Sequence, residues 1–189
     1  LSATRVNASQ LIEKGRENLL LQSNQFDSIG WLYSGTNVTS GQNGYDGTND
    51  AWLLTKTGAS FNHLNQSISQ SGVKTLSLYA KAGTLGGVRL FVNFASGNSN
   101  AYFNLNNGTS FSIATDAIDA KIESVGNGWY RCSITDNEAI TQVRIYPITD
   151  TGDFYVNGNI YIQDSQLESG LVATSVIETG ASTAQAGIL

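Results

Sequence analysis

The chain predicts an all-β fold, a two-sheet antiparallel β-sandwich or a barrel. Three observations carry this. Short apolar runs alternate with polar residues at a period of two, the mark of a strand with one face in a core. About ten such runs are spaced by turn residues, as in sandwiches and barrels. No convincing long helix interrupts them.

Residues 72–95 give the clearest pattern. Leu76, Leu78 and Ala80 alternate with Ser77, Tyr79 and Lys81; after a glycine-bearing turn at 83–87, Val88, Leu90, Val92 and Phe94 alternate with Arg89, Phe91 and Asn93. Two such runs about a short glycine turn predict a β-hairpin. Elsewhere, residues 18–22 are an apolar run, 31–39 and 51–56 read as strands, and 60–70 are polar and of uncertain shape. Short strands follow at 102–105 and 111–113. Residues 121–125 and 129–135 flank Gly126, Asn127 and Gly128, another hairpin signal. Residues 142–148, 154–156 and 159–167 complete the set, with a hairpin expected at Asn157–Gly158. Pro147 favours an edge strand or a strand end.

The domain spans residues 17–180, between a linker or short helix at 1–16 and a polar tail at 181–189. The chain begins at Leu1 and has no Met, which predicts a segment of a longer protein. Its first residues lack the charged-then-apolar order of a secretory leader. No apolar run approaches the ~20 residues of a membrane span. A net charge of -5 argues against nucleic acid, whose phosphates demand a basic surface. One cysteine, Cys132, excludes an internal disulfide.

No catalytic set emerges. His63 is the only histidine and reads as an exposed loop residue. Cys132 alternates with Tyr130 and Ile134 and reads as a small buried hydrophobe. Asp116, Asp119, Glu123, Asp136 and Glu138 could in principle supply the paired carboxylates of a glycosidase, but nothing in the sequence brings two together. Residues 46–50 offer Asp46, Asn49 and Asp50, either an oxygen set for calcium or a plain Asx-rich turn.

The aromatics carry the functional expectation. Sugars combine an apolar C–H face with a polar rim, so their sites join flat rings to hydrogen-bonding side chains. Trp31, Trp52 and Trp129 are the largest candidates, with core packing as the alternative for each. By alternation, Tyr79, Arg89, Phe91, Asn93, Trp129, Arg131, Arg144 and Tyr146 line one sheet, as a carbohydrate-binding face or as a surface covered by another sheet or subunit.

Segments in order then resemble a known family: residues 3–13, 17–27 with Trp31, 46–54, 78–83, 127–133, 161–170 and 173–180. Together they resemble the carbohydrate-binding-module-like β-sandwich of tailed-phage virion proteins, of the concanavalin-A-like or jelly-roll type. The resemblance implies a non-catalytic module on an extracellular virion component such as a tail fibre, binding a host or environmental polysaccharide. It also implies a structural calcium, with Asp27 and Asp164 at the matching positions, although Asp164 is followed by Ser165 and Gln166 where the family has an acid and a valine. The rival expectation is a structural virion domain that forms a homo-oligomer and binds no sugar; glycan hydrolysis is the third.

Overall fold

The computed structural model describes residues 16–184 and the backbone of 4–6, 12–14 and 185. Within the segment expected to be a linker or short helix, β1 (Thr4–Val6) and β2 (Ile12–Lys14) pair antiparallel. The rest of that segment, and 186–189 of the tail, lie outside the described residues. There follow β3 (Glu17–Asn18), β4 (Leu32–Ser34), β5 (Thr36–Gln42), β6 (Ala51–Lys56), β7 (His63–Gln70), β8 (Lys74–Ala82), β9 (Gly87–Phe94), β10 (Gly97–Asn104), β11 (Thr109–Phe111), β12 (Asp119–Gly126), β13 (Trp129–Asp136), β14 (Ile140–Ile148), β15 (Asn159–Ser169) and β16 (Ala184–Gln185). Sheet I has the order β11-β10-β9-β14-β7-β4 and sheet II the order β12-β13-β8-β15-β6-β5; β3 and β16 pair with each other. Both large sheets are antiparallel, and the fold is the expected sandwich.

Side-chain alternation follows the sequence reading. Leu76, Leu78 and Ala80 of β8 face Val88, Leu90 and Val92 of β9 in one buried cluster, with Cys132, Ile134, Val143, Ile145, Ile160 and Ile162. The partners differ from the reading. Strand β8 pairs with β13 and β15, and β9 with β10 and β14, so residues 72–95 form an arch between the sheets and not a hairpin. The turn shows why. Leu85 at its centre is buried in the core, which a hairpin tip in solvent would not allow. Gly87 is needed for close approach: a Cβ there would stand 2.4 Å from the Thr149 carbonyl oxygen.

The 126–129 turn is a true hairpin. Gly126 opposes Trp129, and Asn127 and Gly128 both take positive φ, 53° and 77°, as a type I′ turn requires. Asn157–Gly158 is not a hairpin: residues 149–158 form a loop carrying the chain from sheet I to sheet II. Pro147 lies in a central strand, but beyond the last β7 partner of β14, Ile145, so its missing N–H breaks no ladder on that side.

Two bulges set what points outward. Ile140 and Val143 are three apart yet both enter the core, because β14 carries an extra residue at Thr141 relative to β9. Gln142, Arg144 and Tyr146 consequently face out. In β15 the register shifts between Gln163 and Gln166, and Asp164 adopts φ 51°.

Candidate ligand-binding face

The eight side chains expected on one sheet divide between two. Tyr79, Trp129 and Arg131 lie on the outer face of sheet II; Arg89, Phe91, Asn93, Arg144 and Tyr146 lie on the outer face of sheet I. The cause is the arch, which sends β8 and β9 to opposite layers.

The outer face of sheet II is roofed by the 43–50 loop. Tyr45 stacks on Tyr79 with ring centroids 3.7 Å apart and planes 2° from parallel, and meets Trp129 edge-on at 6.4 Å. Strand β15 clamps the loop: the Tyr45 N–H donates to Gln163 Oε1 (3.1 Å), the Tyr45 hydroxyl to Asp164 Oδ2 (3.0 Å), and Gln163 Nε2 to Asp50 Oδ1 (2.7 Å). Tyr79 and Trp129 are therefore buried. Arg131 lies 5.3 Å from the Tyr79 ring and donates to Ser77 Oγ. Trp31 and Trp52 are buried too, donating to the Gln22 and Asn24 carbonyls, so all three tryptophans serve packing.

On sheet I the registers align outward residues in rows across strands. Tyr102 of β10, Arg89 of β9 and Tyr146 of β14 form one row; Asn100, Phe91, Arg144 and Asn65 of β7 form the next. Phe91 and Tyr146 are buried, but beneath the arginines and not beneath another sheet. The Arg89 guanidinium lies 4.6 to 5.4 Å from the Phe91, Tyr146, Tyr102 and Phe154 ring centroids, and that of Arg144 lies 5.0 Å from Phe91. The rings form a bed, and half-buried Arg89, Asn93, Gln142 and Arg144 form what solvent meets. Burial pulls the Arg89 pKa below its ordinary value, and Arg144 adds to this while Tyr102 and Tyr146 oppose it.

A relay of amides orients Arg144. Asn65 Nδ2 donates to the Leu32 carbonyl (3.0 Å), which turns Asn65 Oδ1 toward Gln142 Nε2 (2.8 Å). Gln142 Oε1 then accepts from Arg144 Nε, and Arg144 Nη1 donates to the Tyr146 hydroxyl (3.2 Å). Because the first acceptor is a backbone carbonyl, every amide in the chain has one allowed orientation. This fixes the guanidinium before any ligand arrives.

The sequence reading missed the edge of this face. His63 lies in β7, half-buried, its ring 4.7 Å from Tyr146, with burial lowering its pKa; it is not an exposed loop residue. Phe61 and Tyr155 are exposed and meet at 5.7 Å, and Phe61 packs on Phe154 at 4.6 Å. Only a partner for β7, supplied from far along the chain, identifies these rings.

A calcium on Asp27 and Asp164 does not fit the residues present. Asp27 is exposed, and after burial it is the second cause that raises the pKa of Tyr33. Asp164 is buried; its Oδ2 accepts from Tyr45, and its Oδ1 has no partner. Among the described residues, no three His, Cys, Asp or Glu side chains gather to hold a metal ion. Burial pushes the Asp164 carboxyl up to about 7, with Glu178, Asp50 and Asp46 adding to the rise against the Tyr45 bond. Asp46 forms the plain alternative, an Asx turn accepting from the Thr48 N–H and hydroxyl.

Cys132 is fully buried, and burial raises its thiol pKa well above the usual range, as suits a core residue. Of the carboxylates weighed for hydrolysis, Asp136 is buried and Asp119 pairs with Lys121 at 3.0 Å. None of the five lies on a strand of sheet I.

No family model matches the chain, and no curated protein does. Among solved structures it is similar to a mutant of a family 29 carbohydrate binding module, at 9% identity and TM-score 0.49, covering 82% of this chain and 92% of that one. It is similar to the enzymatically active domain of bacteriophage CBA120 tailspike protein 4, at 16% identity and TM-score 0.47, covering 79% of this chain and 21% of that one. A third is the CBM22-1–GH10 portion of Clostridium thermocellum endo-1,4-beta-D-xylanase 10B complexed with xylohexaose, at 12% identity and TM-score 0.47, covering 80% and 27%.

Proposed function

We propose that this is a non-catalytic glycan-binding module whose ligand lies on the outer face of sheet I, and that it is carried on a phage tail or other extracellular virion component. The observation that carries the binding reading is the relay-fixed row of Asn65, Gln142, Arg144 and Tyr146 beside Arg89. Planar amides and guanidiniums held at fixed angles match hydroxyls around a sugar ring. The exposed rings of Phe61 and Tyr155 offer the flat apolar surface that a sugar C–H face needs. Rings of the bed itself are occupied by guanidiniums, so stacking belongs to the rim and hydrogen bonding to the floor. The virion setting rests on the order of segments quoted above.

Affinity per site is expected to be weak, about micromolar to millimolar, with repeated copies supplying avidity. Affinity gel electrophoresis against a panel of soluble polysaccharides tests the reading. Arg144→Ala and Tyr155→Ala should each weaken retardation by roughly tenfold, as loss of a charge-assisted hydrogen bond or a ring contact implies. Tyr79→Ala should leave it unchanged in the folded fraction. Retardation that depends on Tyr79 and ignores Arg144 sinks the assignment.

A second reading has its own observation. Ile29 is 98% exposed and Leu32 54%, beside a groove lined by Leu19, Leu21 and Ile68 at the β4 edge of sheet I. A structural domain would use that apolar edge to associate. Light scattering that finds a stable oligomer lost on Ile29→Asp favours it.

A further inference from the structure

We infer that the glycan held by sheet I is anionic, bearing a carboxylate or sulfate that Arg89 and Arg144 grip together. The inference rests on the glycan reading above and adds the charge of the ligand. Its ground is how charge is distributed. The chain has 15 acidic residues, yet no strand of sheet I contains one. The same strands carry Arg89 and Arg144, and neither has a carboxylate partner among the described residues. The loop acids that follow β14 are engaged elsewhere: Asp150 Oδ2 accepts from Asn106 Nδ2, and Asp153 Oδ1 from the Tyr155 N–H.

Both guanidiniums rest on one ring, that of Phe91, at 4.6 and 5.0 Å. Two cations sharing a bed repel one another, and His63 feels Arg144 in the same sense. Arg89 Nε is buried with no hydrogen-bond partner. Since Nε is buried while the residue is only half-buried, the terminal nitrogens are the part that reaches water. A neutral ligand would leave both charges uncompensated. An oxyanion would take the free donors of two forks and relieve the repulsion. The overall net charge of -5 opposes an anionic polymer, but the Debye length of about 8 Å in physiological salt screens that distant field more than a direct, half-buried contact.

The test pairs each acidic polymer with its neutral twin. Polygalacturonate is compared with its carboxyl-reduced form, and chondroitin sulfate with a desulfated, carboxyl-reduced form, by affinity electrophoresis in physiological salt. Arg89→Gln, Arg144→Gln and Arg131→Gln are run alongside, each checked by thermal melting. At least one charged polymer should bind about tenfold or more tightly than its twin, the strength of a charge-assisted contact. That preference should collapse in Arg144→Gln, and in Arg89→Gln where it folds, and persist in Arg131→Gln. Equal binding of charged and neutral twins overturns the inference and leaves the glycan reading standing. So does a preference that survives both sheet I variants. Retardation by none of the polymers, acidic or neutral, takes both readings down.

Discussion

Phe26→Ala should cost the fold about 3–5 kcal/mol, the usual cost of emptying a buried aromatic site. Phe26 has no exposed surface, lies 5.2 Å from the Trp31 ring and meets Trp52 edge-on at 6.1 Å. These rings hold a segment with almost no regular structure. Residues 19–31 are turns and bends, tied down by the indole N–H of Trp31 to the Gln22 carbonyl and that of Trp52 to the Asn24 carbonyl. Removing Phe26 leaves both indoles facing a void that turns anchored at each end cannot close. Tryptophan emission should shift to the red as denaturant is added, with its midpoint well below that of the parent, and Phe26→Leu should recover most of the loss by conserving apolar volume. A Phe26→Ala midpoint within about 1 kcal/mol of the parent would show that the segment is held by its hydrogen bonds alone.

The second large effect is a loss of stability as pH rises from about 4 to about 7. The Asp164 carboxyl is pushed up to about 7 in the fold by burial, with Glu178, Asp50 and Asp46 adding to it. In the unfolded chain it titrates near the usual 3.8. Between those values the folded state keeps a proton that the unfolded state has released, so stability falls with each step in pH. At about 1.4 kcal/mol per pH unit, the loss from this group reaches no more than about 4 kcal/mol by neutral pH. Asp136, buried and also raised, acts in the same direction, whereas His63, lowered by burial, opposes it below about pH 6.5. Asp164→Asn removes the ionisation, retains an acceptor for the Tyr45 hydroxyl and suits the positive φ of 51°. The variant should therefore melt above the parent at pH 8 and close to it at pH 4. A parent profile flat across this range, or a variant destabilised equally at both ends, contradicts the account.

Local patterns told more than partners did. The inward set Leu76, Leu78, Ala80, Val88, Leu90 and Val92 follows from alternation, because side-chain direction is a property of one strand. A hairpin and an arch both need two alternating runs and a glycine turn. They differ in which strands lie alongside, and those are distant: Leu78 pairs with Cys132, and Arg89 with Tyr146. Only Leu85, apolar at the middle of the turn, hinted at burial there. Strand β7 was unreadable for a related reason. Gln66 is a buried polar residue in it, satisfied by both the N–H and the carbonyl of Leu21, 45 positions away, so the strand shows no apolar face. With β7 went the rim of the candidate site, Phe61 and His63. The roof over Tyr79 was hidden likewise, since Tyr45 reaches it through bonds to Gln163 and Asp164 across more than a hundred residues.

The arginine side chains themselves offer the most direct test. In a titration with a retarding polysaccharide followed by NMR of the arginine Nε–H signals, those of Arg89 and Arg144 should move while that of Arg131, on the other sheet, stays in place. Movement of Arg131 alone would put the ligand on sheet II, and the binding face described here would be the wrong one.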